Sequence, residues 1–140
     1  MRYLLDTNIF LFWATEVDSL SDDVYNALNE SDALLYISAA SVMEMVVAYN
    51  NKGFDTRRWK TAEQMVESIK KDFYIDILPF KDEHLMTFAR LRLNIAKGHK
   101  DPFDHMIISH AITEKMTLVS SDSRFPFYRR QGLKLLFNKR

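Results

Sequence analysis

Short, continuously apolar runs alternate along this chain with longer segments of mixed polarity, and that alternation sets the expected fold. Tyr3-Leu4-Leu5 is the first run; it stops abruptly at Asp6-Thr7-Asn8, a strand entering a polar turn. Residues 33–37, 74–80 and 117–120 predict three more strands, and residues 133–137 a weaker fifth. Between them, Ser21 caps a helix reaching about Asn29, with Leu20 and Tyr25 spaced as a hydrophobic staple. Residues 38–51 predict a helix ended by Gly53, residues 57–71 a moderately amphipathic one, and residues 81–96 a helix stopped by Gly98. Asp101-Pro102 opens a further helix, with aspartate at the cap and proline at the first helical position.

Strands that lack polar alternation are buried on both faces, which is the pattern of a parallel sheet between two helical layers. The expected architecture is therefore a three-layer α/β/α sandwich with a mostly parallel, five-stranded sheet, folded as one domain over residues 1–140. Three glycines and three prolines leave little material for a flexible linker. In such sheets ligands gather beyond the carboxyl ends of the strands, at the point where strand order reverses. Asp6 ends the first strand and Asp122 follows the fourth, so neighbouring positions for these strands would put both acids in one crevice.

Composition narrows the function classes. With 47% hydrophobic and 13% aromatic residues the chain has the material for a core, which excludes a disordered segment. The absence of cysteine removes disulfides, thiolate metal sites and cysteine nucleophiles, and suits a reducing cytoplasm. Asp6 arrives too early for a signal peptide, and Ser38, Ser41 and Glu44 interrupt the longest apolar stretch, so a membrane role is not expected. The formal charge is zero but uneven. Residues 1–89 carry 8 Lys/Arg against 15 Asp/Glu, and residues 90–140 carry 11 against 4. A basic half whose few acids include Asp101, Asp104 and Asp122 is suited to hold a polyanion beside a metal, although a solvated basic surface gives the same sum.

Four carboxylates stand out. Glu44 is the only charged residue between Ser38 and Asn51, on a helix that is apolar all round and therefore expected to be buried. Ser41-x-x-Glu44 has the form of a capping box, which would spend Glu44 on its own helix start; Ser38, directly after the strand, is the more natural cap. Asp104 heads the inward stripe Asp104, Ile107, Ile108, Ala111, Ile112, or else serves only the helix dipole. Asp101 reads first as a cap. Asp6 and Asp122 are individually ordinary loop acids, and their force is joint. Four converging carboxylates need a cation to stay ionised, and an oxygen-only donor set selects Mg²⁺ or Mn²⁺. Such an ion can polarise a phosphoryl oxygen and activate water, which is phosphodiester chemistry.

Leu4-Leu5-Asp6-Thr7-Asn8, Ser38 to Glu44-Met45, Asp101-Pro102-Phe103-Asp104 and Leu118-Val119-Ser120-Ser121-Asp122 resemble, in order, the four acidic motifs of the PIN-domain family, and look most like those of VapC-type toxins. The resemblance implies that Asp6, Glu44, Asp104 and Asp122 are the metal-binding acids, supported by Thr7, Asn8, Asp101 and Ser120. It also implies a sheet order of 3-2-1-4-5, Mg²⁺-dependent endoribonuclease action on tRNA or other structured RNA, homodimers, and an antitoxin partner. Two positions depart from the pattern: His105 stands where many relatives carry arginine, leaving a charge expected to titrate near pH ~6.5, and Ser121 where relatives often carry a base.

Lys97, His99, Lys100, Arg124, Arg129 and Arg130 are candidate phosphate contacts. Phe10, Phe12 and Trp13 read as core or as a partner-facing patch, and His84 and His110 as core or surface residues without metal-ligand spacing. Two other classes compete with a nuclease. A non-catalytic RNA-binding or regulatory module would keep the acidic pocket and bind metal without turnover. A phosphoacceptor domain needs an acceptor aspartate at the end of the third strand, where Leu78-Pro79-Phe80 stands instead.

Overall fold

A computed structural model describes residues 1–139. Its strands are β1 (Arg2–Leu5), β2 (Leu34–Ser38), β3 (Asp76–Leu78), β4 (Thr117–Ser120) and β5 (Lys134–Phe137), in the order β3-β2-β1-β4-β5. Every pairing is parallel, with Leu5 flanked by Ile37 on one side and Val119 on the other. The helices are α1 (Thr7–Thr15), α2 (Asp22–Leu28), α3 (Ala39–Asn50), α4 (Ala62–Lys71), α5 (Asp82–Arg90) and α6 (Pro102–Glu114). Among the described residues, no helix is long and apolar enough to cross a membrane.

Successive strand residues point to opposite faces, and each face has its own core. Tyr3, Leu5, Ile37 and Val119 pack with Ile9 and Phe10 of α1, Val24 and Leu28 of α2, Met45 of α3, and Met65 and Ile69 of α4. Leu4 and Leu118 face the other way, against Ile107, Ile108 and Ala111 of α6 and against Phe125 and Tyr128. The expected sandwich is thus present, with a wholly parallel sheet. Order reverses between β1 and β4, so their carboxyl ends open on one crevice.

The structure corrects several boundaries. Asp6-Thr7-Asn8 begins a helix and not a simple turn: Asp6 is the N-cap of α1, its carboxylate accepting the Thr7 amide N–H, and the apolar run 9–14 continues as helix because it seals the first core. The helix expected over 81–96 ends at Arg90, because Gln131 holds both the amide and the carbonyl of Arg92 at 2.8 Å. At the end of α3 the left-handed residue is Lys52, with φ 54°, one place before Gly53. That helix is not buried all round, since Met43 and Val47 are half exposed. Phe10 lies in the core, while Phe12 and Trp13 are only partly buried against it.

Between α5 and α6 the fold brings together residues that sequence spacing had separated. The rings of His84 and His110 stand 4.2 Å apart, edge to face, and His84 Nε2 is 2.6 Å from Glu114 Oε2. His84 Nδ1 accepts the Lys81 amide N–H, so Nε2 carries the proton donated to Glu114 and has no lone pair for a metal. Glu83, His84 and Glu114 lie close enough to share an ion, but this tautomer argues against one.

Phe10 is fully buried between Phe73 and Trp59, at centroid distances of 5.1 and 6.4 Å. Phe10→Ala should lower unfolding free energy by about 3–5 kcal/mol in denaturant titrations; a loss under 1 kcal/mol would contradict this packing. Burial, and then His84, push buried His110 down to about 4. The folded protein therefore refuses a proton that the unfolded chain accepts below about pH 6.5, and stability is lost as pH falls from there towards 4. His110→Gln should reduce that acid sensitivity by on the order of 1–2 kcal/mol, read as unfolding midpoints at pH 7 and pH 5.

Candidate functional site

At the carboxyl end of β1 the backbone of Asp6 still pairs with β4, its amide donating to Val119 O at 2.9 Å, while its side chain caps α1. Asp6 Oδ1 accepts the Thr7 N–H at 2.8 Å and Oδ2 accepts the Ser120 hydroxyl at 2.7 Å. Ser120 Oγ accepts in turn the Asp122 N–H at 3.0 Å, so one hydroxyl ties the first acid to the loop of the fourth. Thr7 Oγ1 donates to Glu44 Oε1 at 2.5 Å, which joins α1 to α3. Ser38 is the N-cap of α3, accepting the Ala40 N–H at 3.0 Å, so the capping-box reading of Ser41 and Glu44 falls.

Asp104, in the first turn of α6, is the hub. Glu44, Asp101 and Asp104 each present an oxygen within 4.8 Å of the others, and so do the ligand atoms of His99, Asp104 and Asp122. Asp101 also caps α6, accepting the Phe103 N–H at 2.9 Å, which is its first reading. Arg124 grips Asp122: its backbone N–H and Nε donate to Oδ1 at 2.8 and 3.0 Å, and a terminal nitrogen donates to Oδ2 at 2.7 Å. The same terminal nitrogen is 3.5 Å from Asp104 Oδ2.

Titration follows this geometry. Burial pushes Asp6 up to about 7, with the charges of Asp104 and Glu44 adding and the Ser120 and Thr7 bonds opposing. Asp104 also rises to about 7, through burial and then the charges of Asp101, Glu44 and Asp122, against Arg124. Burial raises Glu44 against the Thr7 bond. Asp122 goes the other way: burial would raise it, but the contacts with Arg124 together hold it below the usual carboxylate range. Crowded, half-desolvated oxygens with raised proton affinity are the donor set that a hard dication relieves.

Other expected residues fare differently. His99 is fully buried and is no phosphate contact: Nε2 lies 3.0 Å from Asp104 Oδ2, and Nδ1 lies 2.9 Å from the Tyr128 hydroxyl. His105 is buried beside Tyr128 and held below its ordinary range by burial and by His99, so it does not supply the titrating charge expected of it. Asn8 is exposed and lines a cavity with Leu11, Phe12 and Thr15. Lys97, Lys100, Arg129 and Arg130 are exposed, whereas Arg124 is engaged with Asp122 and Asp104. Sequence reasoning did not find the link from His99 to Tyr128; a separation of 29 positions leaves no local pattern.

A parallel sheet in this order, with acids at the ends of β1 and β4, in the second turn of α3 and in the first turn of α6, defines a known class. The family model described as PIN domain matches residues 3–131, and the chain belongs to that family. Over 136 residues it is 24% identical to the tRNA(fMet)-specific endonuclease VapC of Shigella flexneri, covering 96% of each chain. Its fold is similar to that in the structure of VapBC2 from Rickettsia felis bound to a promoter DNA fragment, with a TM-score of 0.71, 24% identity, and coverage of 99% of this chain and 100% of that one. DNA-bound VapBC from Salmonella typhimurium follows at 0.66 and 19% identity, covering 98% of each chain.

A carboxylate whose folded pKa is raised keeps a proton that the unfolded chain releases above about pH 4, so its contribution to stability falls as pH climbs through about 7. Asp6→Asn keeps the helix cap and cannot ionise. In metal-free buffer it should therefore gain stability over the unsubstituted protein at pH 8, by on the order of 1 kcal/mol or more, with the gap closing by pH 4. A melting-temperature difference that stays flat across that range would refute the electrostatic account.

Proposed function

We propose that this protein is a Mg²⁺- or Mn²⁺-dependent endoribonuclease that acts in the cytoplasm as the toxin half of a toxin–antitoxin pair. The observation that carries the reading is the convergence of Glu44, Asp101 and Asp104, with Asp6 and Asp122 beside them, in a corner where Asp6 and Asp104 are both pushed up to about 7. Glu44, Asp101 and Asp104 would hold the ion, with Asp6 and Asp122 completing the set. When bound, the ion supplies a polarised phosphoryl oxygen and an activated water. Thr7 and Ser120 orient the acids: Thr7 fixes one oxygen of Glu44, and Ser120 fixes one of Asp6. Arg124, already amid the acids, offers the nearest guanidinium to a phosphate, and exposed Lys97, Lys100, Arg129 and Arg130 extend that positive surface.

Likeness to the Shigella flexneri enzyme supports a structured RNA, tRNA among the candidates, as substrate. Likeness to VapBC complexes supports an antitoxin partner. Half-exposed Met43 and Val47 of α3, with Leu85 and Met86 of α5, leave apolar surface for that partner or for a second copy in a homodimer.

Purified protein should cut structured RNA with Mg²⁺ or Mn²⁺, stop when EDTA is added, and lose activity to background in Asp104→Ala, as gel analysis of RNA products would show. Cleavage that survives EDTA or the substitution sinks the proposal. Metal-dependent thermal stabilisation without turnover would favour a non-catalytic RNA-binding module instead.

A further inference from the structure

A buried line of polar groups runs away from the acids into the second core. Tyr128 Oη accepts the Asn94 amide N–H at 3.0 Å and lies 2.9 Å from His99 Nδ1 and 3.3 Å from His105 Nε2; His99 Nε2 then reaches Asp104 Oδ2 at 3.0 Å. Asn94, His99, Asp104, His105 and Tyr128 are all buried, so water does not complete these bonds and the groups have to satisfy one another.

The proton inventory then has a direction. With Asp104 ionised, as binding of a cation requires, its carboxylate only accepts, so His99 Nε2 carries a hydrogen and a neutral ring leaves Nδ1 bare. The Tyr128 hydroxyl is the donor left for that bare Nδ1, and the Asn94 N–H fills one of the hydroxyl's acceptor positions.

We propose that His99, set in its Nε2–H tautomer by Tyr128, is a positioning residue that fixes the Asp104 carboxylate for metal binding. Its bond occupies Oδ2, whereas Oδ1 takes no hydrogen bond among the described residues and is left for an ion. A protonated Nε2 cannot be a ligand. Although His99, Asp104 and Asp122 are close enough to share an ion, that group already holds the Arg124 guanidinium, and the ion belongs to the all-oxygen group of Glu44, Asp101 and Asp104. This inference rests on the metal-site reading above but not on the reaction assigned to it.

The test is Mn²⁺ binding by calorimetry, with the imidazole ¹H–¹⁵N spectrum recorded in Mg²⁺. His99→Leu, which keeps bulk and removes the donor, should weaken Mn²⁺ binding about 10–100-fold, whereas His99→Gln, which can donate to the same oxygen, should stay within about threefold. Tyr128→Phe keeps the ring and should weaken it several-fold in the same direction, which decides the matter if the leucine variant fails to fold. The spectrum should show His99 with hydrogen on Nε2. At saturating Mn²⁺, RNA cleavage should lose kcat with KM unchanged. Unchanged Mn²⁺ affinity in His99→Leu or Tyr128→Phe, equal losses in the glutamine and leucine variants, or an Nδ1–H tautomer would overturn the proposal. Failure of the unsubstituted protein to bind Mn²⁺ would sink it together with the nuclease reading. The predicted affinity ranking without any RNA cleavage would sink only the nuclease reading.

Discussion

Like charges crowded into a partly dry corner are the constraint to which this structure answers. Asp6, Glu44, the pair Asp101 and Asp104, and Asp122 come from four separate points of the chain, and a parallel sheet is what brings them together. Each β-to-α connection ends a strand and starts a helix at the same rim, so helix N-termini, with their free N–H groups and positive dipole ends, surround the place where the acids meet. Asp6 and Asp101 are themselves caps, on α1 and α6, and Asp104 lies within the first turn of α6. The fold thus spends its own partial positive charge on the cluster. Burial still wins at Asp6 and Asp104, both of which rise to about 7.

That balance bears on stability. A buried carboxylate with raised proton affinity weakens the metal-free fold near neutral pH, and the two cores have to offset it. They are well built for that: Leu4, Leu5, Ile9, Phe10, Ile37, Leu118 and Val119 are all fully buried on the strands and helix directly beneath the acids. Rigid packing below and unsatisfied charge above is the arrangement that holds donors in place for an ion instead of letting them splay apart.

The layers and the parallel strands were legible because each has a local signature, whereas the sheet order followed only from the resemblance to the PIN family. Apolar runs without alternation gave the parallel strands, Ser38 after a strand gave the cap of α3, and Asp101-Pro102 gave the start of α6. What the sequence hid depends on distant partners. Asp-Thr-Asn suits a turn and a helix cap equally, and only packing of Ile9 and Phe10 against the sheet decides for α1. Nothing near Arg90 announces the end of α5; Gln131 does so from the other side of α6. His99 follows Gly98 between two lysines and has the composition of a basic loop, yet Tyr128 and Asp104 draw it fully inside. Similarly, His84 and His110 look unrelated until α5 lies along α6.

The acids also divide into two kinds, and one arginine makes the division. Asp122 receives three hydrogen bonds from Arg124 and is held below the usual carboxylate range, so its charge is already balanced from within the chain. Asp104 gets only a long contact, at 3.5 Å, from the nitrogen that already donates to Asp122, and Glu44 gets a neutral hydroxyl. A single side chain cannot neutralise both groups, because one guanidinium carries one charge and its short bonds go to Asp122. The shortfall of positive charge therefore lies on the Glu44 side of Asp104, and an incoming cation is drawn there by what Arg124 leaves undone as much as by the acids themselves.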